Sequence, residues 1–93
     1  MDIRDIYEAH NEAYERGQLP IYTIFDSPLD HPGKFVVRMS LVGGLGAPPE
    51  PIVTNVMVIV DTLEQARKVL EPCGLVCKPR AKRDPRQIVE TWF

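Results

Sequence analysis

The sequence predicts an α+β domain: a mostly antiparallel sheet of about five strands with two helices on one face, in the order αβββαββ. Three observations carry this prediction. Two segments repeat apolar residues at helical spacing among charges. Several others alternate apolar and polar residues or run continuously apolar. Short stretches rich in Gly, Pro and Asp separate them. The 93 residues suffice for a single domain, 1–93, and not for two.

Ile3, Ile6, Tyr7, Ala13 and Tyr14 share one side of a helix over residues 2–16, which Gly17 stops and Pro20 keeps from continuing. On this helix His10 is expected at the surface beside Tyr14, and Glu8 with Glu12 forms a solvated acidic stripe. Residues 21–26, β-branched and aromatic, read as a first strand. Residues 34–42 read as a second, with Phe35, Val37, Met39 and Leu41 on one face and Arg38 and Ser40 on the other. The glycine- and proline-rich stretch GGLGAPPEPI, 43–52, is a loop. Residues 53–60 form a third strand, apolar enough to be central. Asp61, with Glu64 in a capping box, opens a short helix whose buried stripe is Leu63, Ala66 and Leu70 and which Pro72 and Gly74 end. Residues 75–78 and 88–92 supply two more strands, joined by a basic loop.

Alternation in the last strand puts Ile88, Glu90 and Trp92 on one face and Val89, Thr91 and Phe93 on the other. Glu90 marks the first face as the wetter one. Val89 and Phe93 are therefore expected in the core, and Trp92 partly exposed, where it would anchor a partner or a second copy.

An apolar fraction of 44% and a charged fraction of 26% are ordinary for a soluble globular domain. The longest apolar run, residues 56–60, falls far short of the ~20 residues a membrane span needs, so no membrane role is expected. The opening Met-Asp-Ile-Arg-Asp lacks the apolar stretch of a secretory signal, and a cytoplasmic setting is the expectation. Net charge is −2 but uneven. Seven acids stand against Arg4 and Arg16 in residues 1–31, whereas Lys78, Arg80, Lys82, Arg83 and Arg86 stand against Asp84 in residues 78–86.

Chemistry has few candidates. In DSPLDHPGK, Asp26, Asp30 and His31 resemble an acid–base set. However, His31-Pro32-Gly33 suits a type II turn, and an Asx-type hydrogen bond accounts for Asp26. Gly43-Gly44-Leu45-Gly46 precedes no helix and no Lys-Ser/Thr pair, which argues against a phosphate loop. Cys73 and Cys77 lie near neither histidine in sequence and are read as two thiols at a helix-to-strand junction. Ser27 and Ser40 sit in no nucleophile elbow. No catalytic residue, metal ligand or cofactor is assigned. The sharpest candidate is the basic segment CKPRAKRDPRQ. It would meet an acidic protein surface or the acidic helix of a second copy. Nucleic acid is a weaker fit, because no aromatic is interleaved for base stacking.

Tyr22-Thr23-Ile24-Phe25, Pro28 and His31-Pro32-Gly33-Lys34-Phe35-Val36-Val37-Arg38 resemble the opening of short bacterial conserved hypothetical proteins of unknown function. The later pattern of that group is similar to Asp61-Thr62-Leu63-Glu64-Gln65-Ala66-Arg67, Gly74-Leu75-Val76, Asp84-Pro85 and Val89-Glu90-Thr91-Trp92. The likeness spans most of residues 21–93. It implies a compact, cytoplasmic protein of bacterial or mobile-element origin, and brings no catalytic residue with it.

The sequence therefore favours a small non-enzymatic interaction module. Its partner-binding residues would be Lys78, Arg80, Lys82, Arg83, Arg86 and Trp92. One alternative is a small-ligand-binding or enzymatic domain, with Arg38 and His31 facing a cleft under the first helix. Another is a nucleic-acid-binding accessory acting through the loop 78–86.

Overall fold

Helix α1 (Ile3–Glu15) is followed by strands β1 (Gln18–Asp26), β2 (Phe35–Gly43) and β3 (Ile52–Val60), helix α2 (Leu63–Leu70), and strands β4 (Cys77–Pro79) and β5 (Ile88–Trp92). The computed structural model describes residues 3–44, 46, 50–80 and 87–93. Lys82, Arg83 and Arg86 lie outside the described residues. The strands form one antiparallel sheet in the order β3-β2-β1-β5-β4, and the helices lie on one of its faces. Among the described residues, no helix is long and apolar enough to cross a membrane.

Ile6, His10 and Ala13, spaced four and three residues apart, give α1 its buried side. His10 is thus buried rather than at the surface, because its place one turn past Ile6 turns the ring inward against Tyr22. Gly17, in the left-handed region at φ 71°, ends the helix, and β1 starts at the next residue. Pro20 consequently lies inside β1. Only Tyr22–Phe25 of β1 pairs with β5, so Pro20 sits where β1 still has a free side and its missing N–H breaks no ladder.

The β1–β2 hairpin closes as the sequence implies. Lys34 N–H donates to the His31 carbonyl at 3.3 Å and Gly33 has φ 76°, the geometry of a type II turn. Its side-chain fastening differs: Ser27 Oγ, not Asp26, accepts from Gly33 N–H at 2.9 Å. Helix α2 is capped one residue later than the pattern suggests. Thr62 Oγ1 accepts from Gln65 N–H at 3.1 Å, and Gln65 Oε1 accepts from Thr62 N–H at 3.1 Å. Glutamine thus takes the role expected of Glu64. Ala66, Val69 and Leu70 are the buried stripe.

The core packs Tyr22 and Ile24 of β1, Val37 and Met39 of β2, Val58 of β3 and Trp92 of β5 against Ile6, Ala66, Val69 and Leu70 of the helices. Two further expectations are overturned. Strand β3, read as central, is an edge strand, and β1 occupies the centre. Trp92, read as partly exposed, is buried, while Phe93 is 39% exposed. A register shift in β5 where Phe25 meets Ile88 breaks the strict alternation, and the Glu90 carboxylate is neutralised inside the fold, so it does not mark a wet face.

Candidate functional site

Register places Lys78, Thr91, Thr23, Arg38 and Met57 in one row across all five strands, on the face away from the helices. Phe25, Val36 and Ile59 flank that row, with Val36 itself buried among its neighbours. Val53 is 62% exposed, Leu19 44% and Ile59 44%. The open face therefore presents aliphatic and aromatic side chains with two cations, Arg38 and Lys78. At ~4.8 Å per strand these stand about 14 Å apart. Lys78 Nζ lies 5.3 Å from the Phe93 ring centroid, a cation–π contact that holds the amine over the face. Among the described strand residues of this face there is no carboxylate.

Arg38 has a structural task as well. Between Arg38 and Ser40 the β2–β3 register slips, because β3 carries extra residues there. Arg38 Nε donates to the Thr54 carbonyl at 2.7 Å, and Nη2 donates to Asn55 Oδ1 at 3.2 Å. Thr54 Oγ1 donates to the Met39 carbonyl at 2.8 Å and accepts from Val56 N–H at 3.1 Å. The bulge is thus stitched to β2 by side chains.

Arg38 and His31 do share a depression, of about 160 Å³, with Phe25, Pro28, Asp30, Val36 and Met57. It lies on the open face and not under α1, because Arg38 points opposite to Val37 and Met39. His31 Nε2 is 3.8 Å from Asp30 Oδ2, at the rim.

The helix-covered face holds two polar centres that the sequence does not advertise. Glu90 is buried beneath α2. Arg67 grips it with both arms, Nε to Oε1 at 2.9 Å and Nη2 to Oε2 at 3.1 Å, and Trp92 Nε1–H donates to Oε1 at 3.1 Å. The Arg67 bond chiefly holds the Glu90 carboxyl below the usual range, against the upward push of burial. Burial and the neighbouring Glu90 push the Cys77 thiol up. This centre is a structural clamp between α2 and β5.

The second centre is His10. Its Nδ1 is 2.7 Å from the Tyr22 hydroxyl, and its ring contacts Tyr14 edge-on at 5.0 Å between centroids. Burial lowers the His10 pKa and raises that of Tyr22, so both are neutral at pH 7. Beside them a cleft of about 290 Å³ is lined by Tyr7, His10, Asn11, Pro72 and Cys73. Burial raises the Cys73 thiol, which leaves it protonated and a poor nucleophile. Tyr7 Oη donates to the Val69 carbonyl at 2.9 Å, which ties α1 to α2. A cysteine and a histidine therefore meet in one cleft without the electropositive setting that would activate the sulfur.

Of the residues singled out from sequence, Lys78 and Arg80 are exposed beside the open face, and Trp92 is turned into the core. Trp92 is not available as a surface anchor. Cys73 and Cys77 are both free thiols. Among the described residues, no three His, Cys, Asp or Glu side chains gather as a metal site would require. No protein-family model, curated protein or solved structure matches this chain.

Proposed function

We propose that this chain is a small non-enzymatic protein–protein interaction module whose partner presents an acidic surface. The single observation that carries the reading is the one-sided cover of the sheet. One face is packed by helices. The other offers exposed Leu19, Val53, Ile59 and Phe93, half-buried Phe25 and Met57, and the cations Arg38 and Lys78; its described strand residues hold no carboxylate, and Asp30 stands at the rim of the depression beside His31. Apolar surface supplies affinity, and the cations choose the partner and speed encounter. Arg80 and the sequence neighbours Lys82, Arg83 and Arg86 continue the basic run beyond β4. The free thiols suit a reducing compartment, which supports a cytoplasmic setting.

The test is charge reversal. A chain carrying Lys78→Glu, Lys82→Glu and Arg83→Glu is expected to keep its far-UV circular dichroism. Acidic proteins captured by the unaltered chain should be lost, mainly through an on-rate that falls about tenfold or more at low salt. Equal capture by both chains would remove the basic surface from the interaction. If nucleic acid is captured instead, and its affinity falls steeply with salt, the accessory reading takes over.

A second reading rests on the shared depression of Arg38 and His31, which would suit a small carboxylate. Under the interaction reading His31→Ala leaves capture unchanged and shifts stability by less than about 1 kcal/mol, as at most surface sites. Loss of all binding in a folded His31→Ala chain would favour the small-ligand site.

A further inference from the structure

Strand β3 is the anomaly of the fold. Its nine residues, IVTNVMVIV, carry no charge and no proline, and their composition is that of a strand covered on both sides. Yet β3 ends the sheet. Edge strands of monomeric proteins are ordinarily blunted by Lys, Pro or brevity. The opposite edge obeys that rule, since β4 is three residues long and contains Lys78 and Pro79. On β3 the only blunting device is the bulge, and it acts on one half of the strand. Thr54 and Val56 already spend backbone groups on Arg38 and on the Thr54 hydroxyl. Residues 57–60 keep a regular register with β2 on their inner side, which leaves a regular row of outward groups.

A groove of about 420 Å³ lies at this end. Ile59, Val60 and Val69 make it apolar, and Lys34, Asp61, Gln65 and Lys68 rim it. The rim charges come in balanced pairs. Lys34 bonds Asp61, and Lys68 Nζ lies 3.5 Å from Glu64 Oε1, one helical turn away on α2. Such a patch is self-complementary under a two-fold axis. An axis that reverses α2 lays Glu64 of one copy beside Lys68 of the other, and the reverse, with no like charges opposed.

We propose that the β3 edge is the interface of a homodimer, formed by antiparallel pairing of β3 with β3 of a second copy about Val58. Residue parity then sets Met57 opposite Ile59 of the other copy, on the same open face, and Val56 opposite Val60 on the helix side. The two five-stranded sheets become one of ten strands. The run from Val56 to Val60 becomes central, as its sequence suggests. The two grooves face each other and close. The dimer shares Met57 and Ile59 with the face of the acidic-partner reading, but that reading is tested by charge reversal beginning at Lys78 on the opposite edge strand, which leaves β3 unaltered, so either can fail alone.

Sedimentation equilibrium of the full chain tests it. The expected mass is twice 10.5 kDa. Ile59→Lys, a substitution of an exposed side chain, should return the chain to 10.5 kDa with its far-UV circular dichroism unchanged. Lys68→Glu should weaken the dimer about tenfold by opposing carboxylates, and adding Glu64→Lys to it should restore the affinity, because the swapped pair is again self-complementary. A monomeric chain at about 0.1 mM overturns the proposal. So does a dimer that survives Ile59→Lys, or a Lys68→Glu defect that Glu64→Lys does not repair. Recovery of the unaltered chain as a monomer bound through β3 to a foreign extended peptide would likewise give the edge to another occupant.

Discussion

Replacing Arg67 with methionine is expected to reverse the contribution of Glu90 to the pH dependence of stability. In the intact protein Arg67 chiefly holds the folded-state pKa of Glu90 below its ordinary value. A depressed carboxyl contributes stability that is present above the unfolded pKa, ~4.3, and is lost as pH falls through the folded value. Without Arg67, burial faces only the smaller lowering effects of the Trp92 N–H and the Cys77 thiol, and the folded pKa of Glu90 is expected to rise above the unfolded one. A raised carboxyl contributes stability below ~4.3 that is lost as pH climbs through the folded value. The sign of the slope therefore inverts. Urea midpoints from about pH 3 to pH 7, taken for each chain and for the same chain with Glu90→Gln, isolate the Glu90 contribution. Glu90→Ala should cost about 3 kcal/mol, the low end for a broken buried pair, because Arg67 is half exposed and can turn to water. Against a total of about 5–10 kcal/mol for a domain of this size, that loss is severe. Parallel pH profiles with and without Arg67 would show that the clamp contributes nothing.

The elements were legible because their signals are local. Alternation in β2, glycine after α1 and the Pro-Gly turn each depend on a few adjacent residues, and each is found where the pattern places it. What the sequence could not convey was which strand lies beside which. An apolar run such as Val56–Val60 reports that both faces want cover, and says nothing of whether the cover belongs to the same chain. The same limit explains Glu90 and His10. Each carries a group that reads as solvent-facing, and each is buried because a partner arrives from elsewhere: Arg67 from 23 positions away, Tyr22 from 12. One clue was available. Glu90 and Trp92 are two apart in a strand and so share a face, where an indole N–H can satisfy a carboxylate. Arg38 and His31 do converge, but on the opposite face of the sheet, since strand parity tells which residues share a face and not which face the helices take.

Trp92→Ala is expected to be the most damaging single substitution in β5. The ring is 8% exposed and lies in the core with Tyr22, its cross-strand partner, and Leu70 of α2. Truncating a buried aromatic of this size costs about 3–5 kcal/mol, through lost transfer energy and the cavity left behind. The neighbouring Phe93 makes the contrast. It is 39% exposed, follows the last strand residue and packs partly under Lys78, so Phe93→Ala should cost less than about 1 kcal/mol. Trp92→Phe separates packing from hydrogen bonding. A benzene ring refills most of the space, but Glu90 Oε1 loses the indole N–H, and an intermediate cost of about 1–2 kcal/mol should result. Because Glu90 and Trp92 touch, combining Trp92→Phe with Glu90→Gln should cost less than the sum of the two, and guanidinium titration of the four chains measures the coupling. If Trp92→Ala and Phe93→Ala lose equally little, the β5 ring does not occupy the core and the bulge between Ile88 and Glu90 does not set its direction.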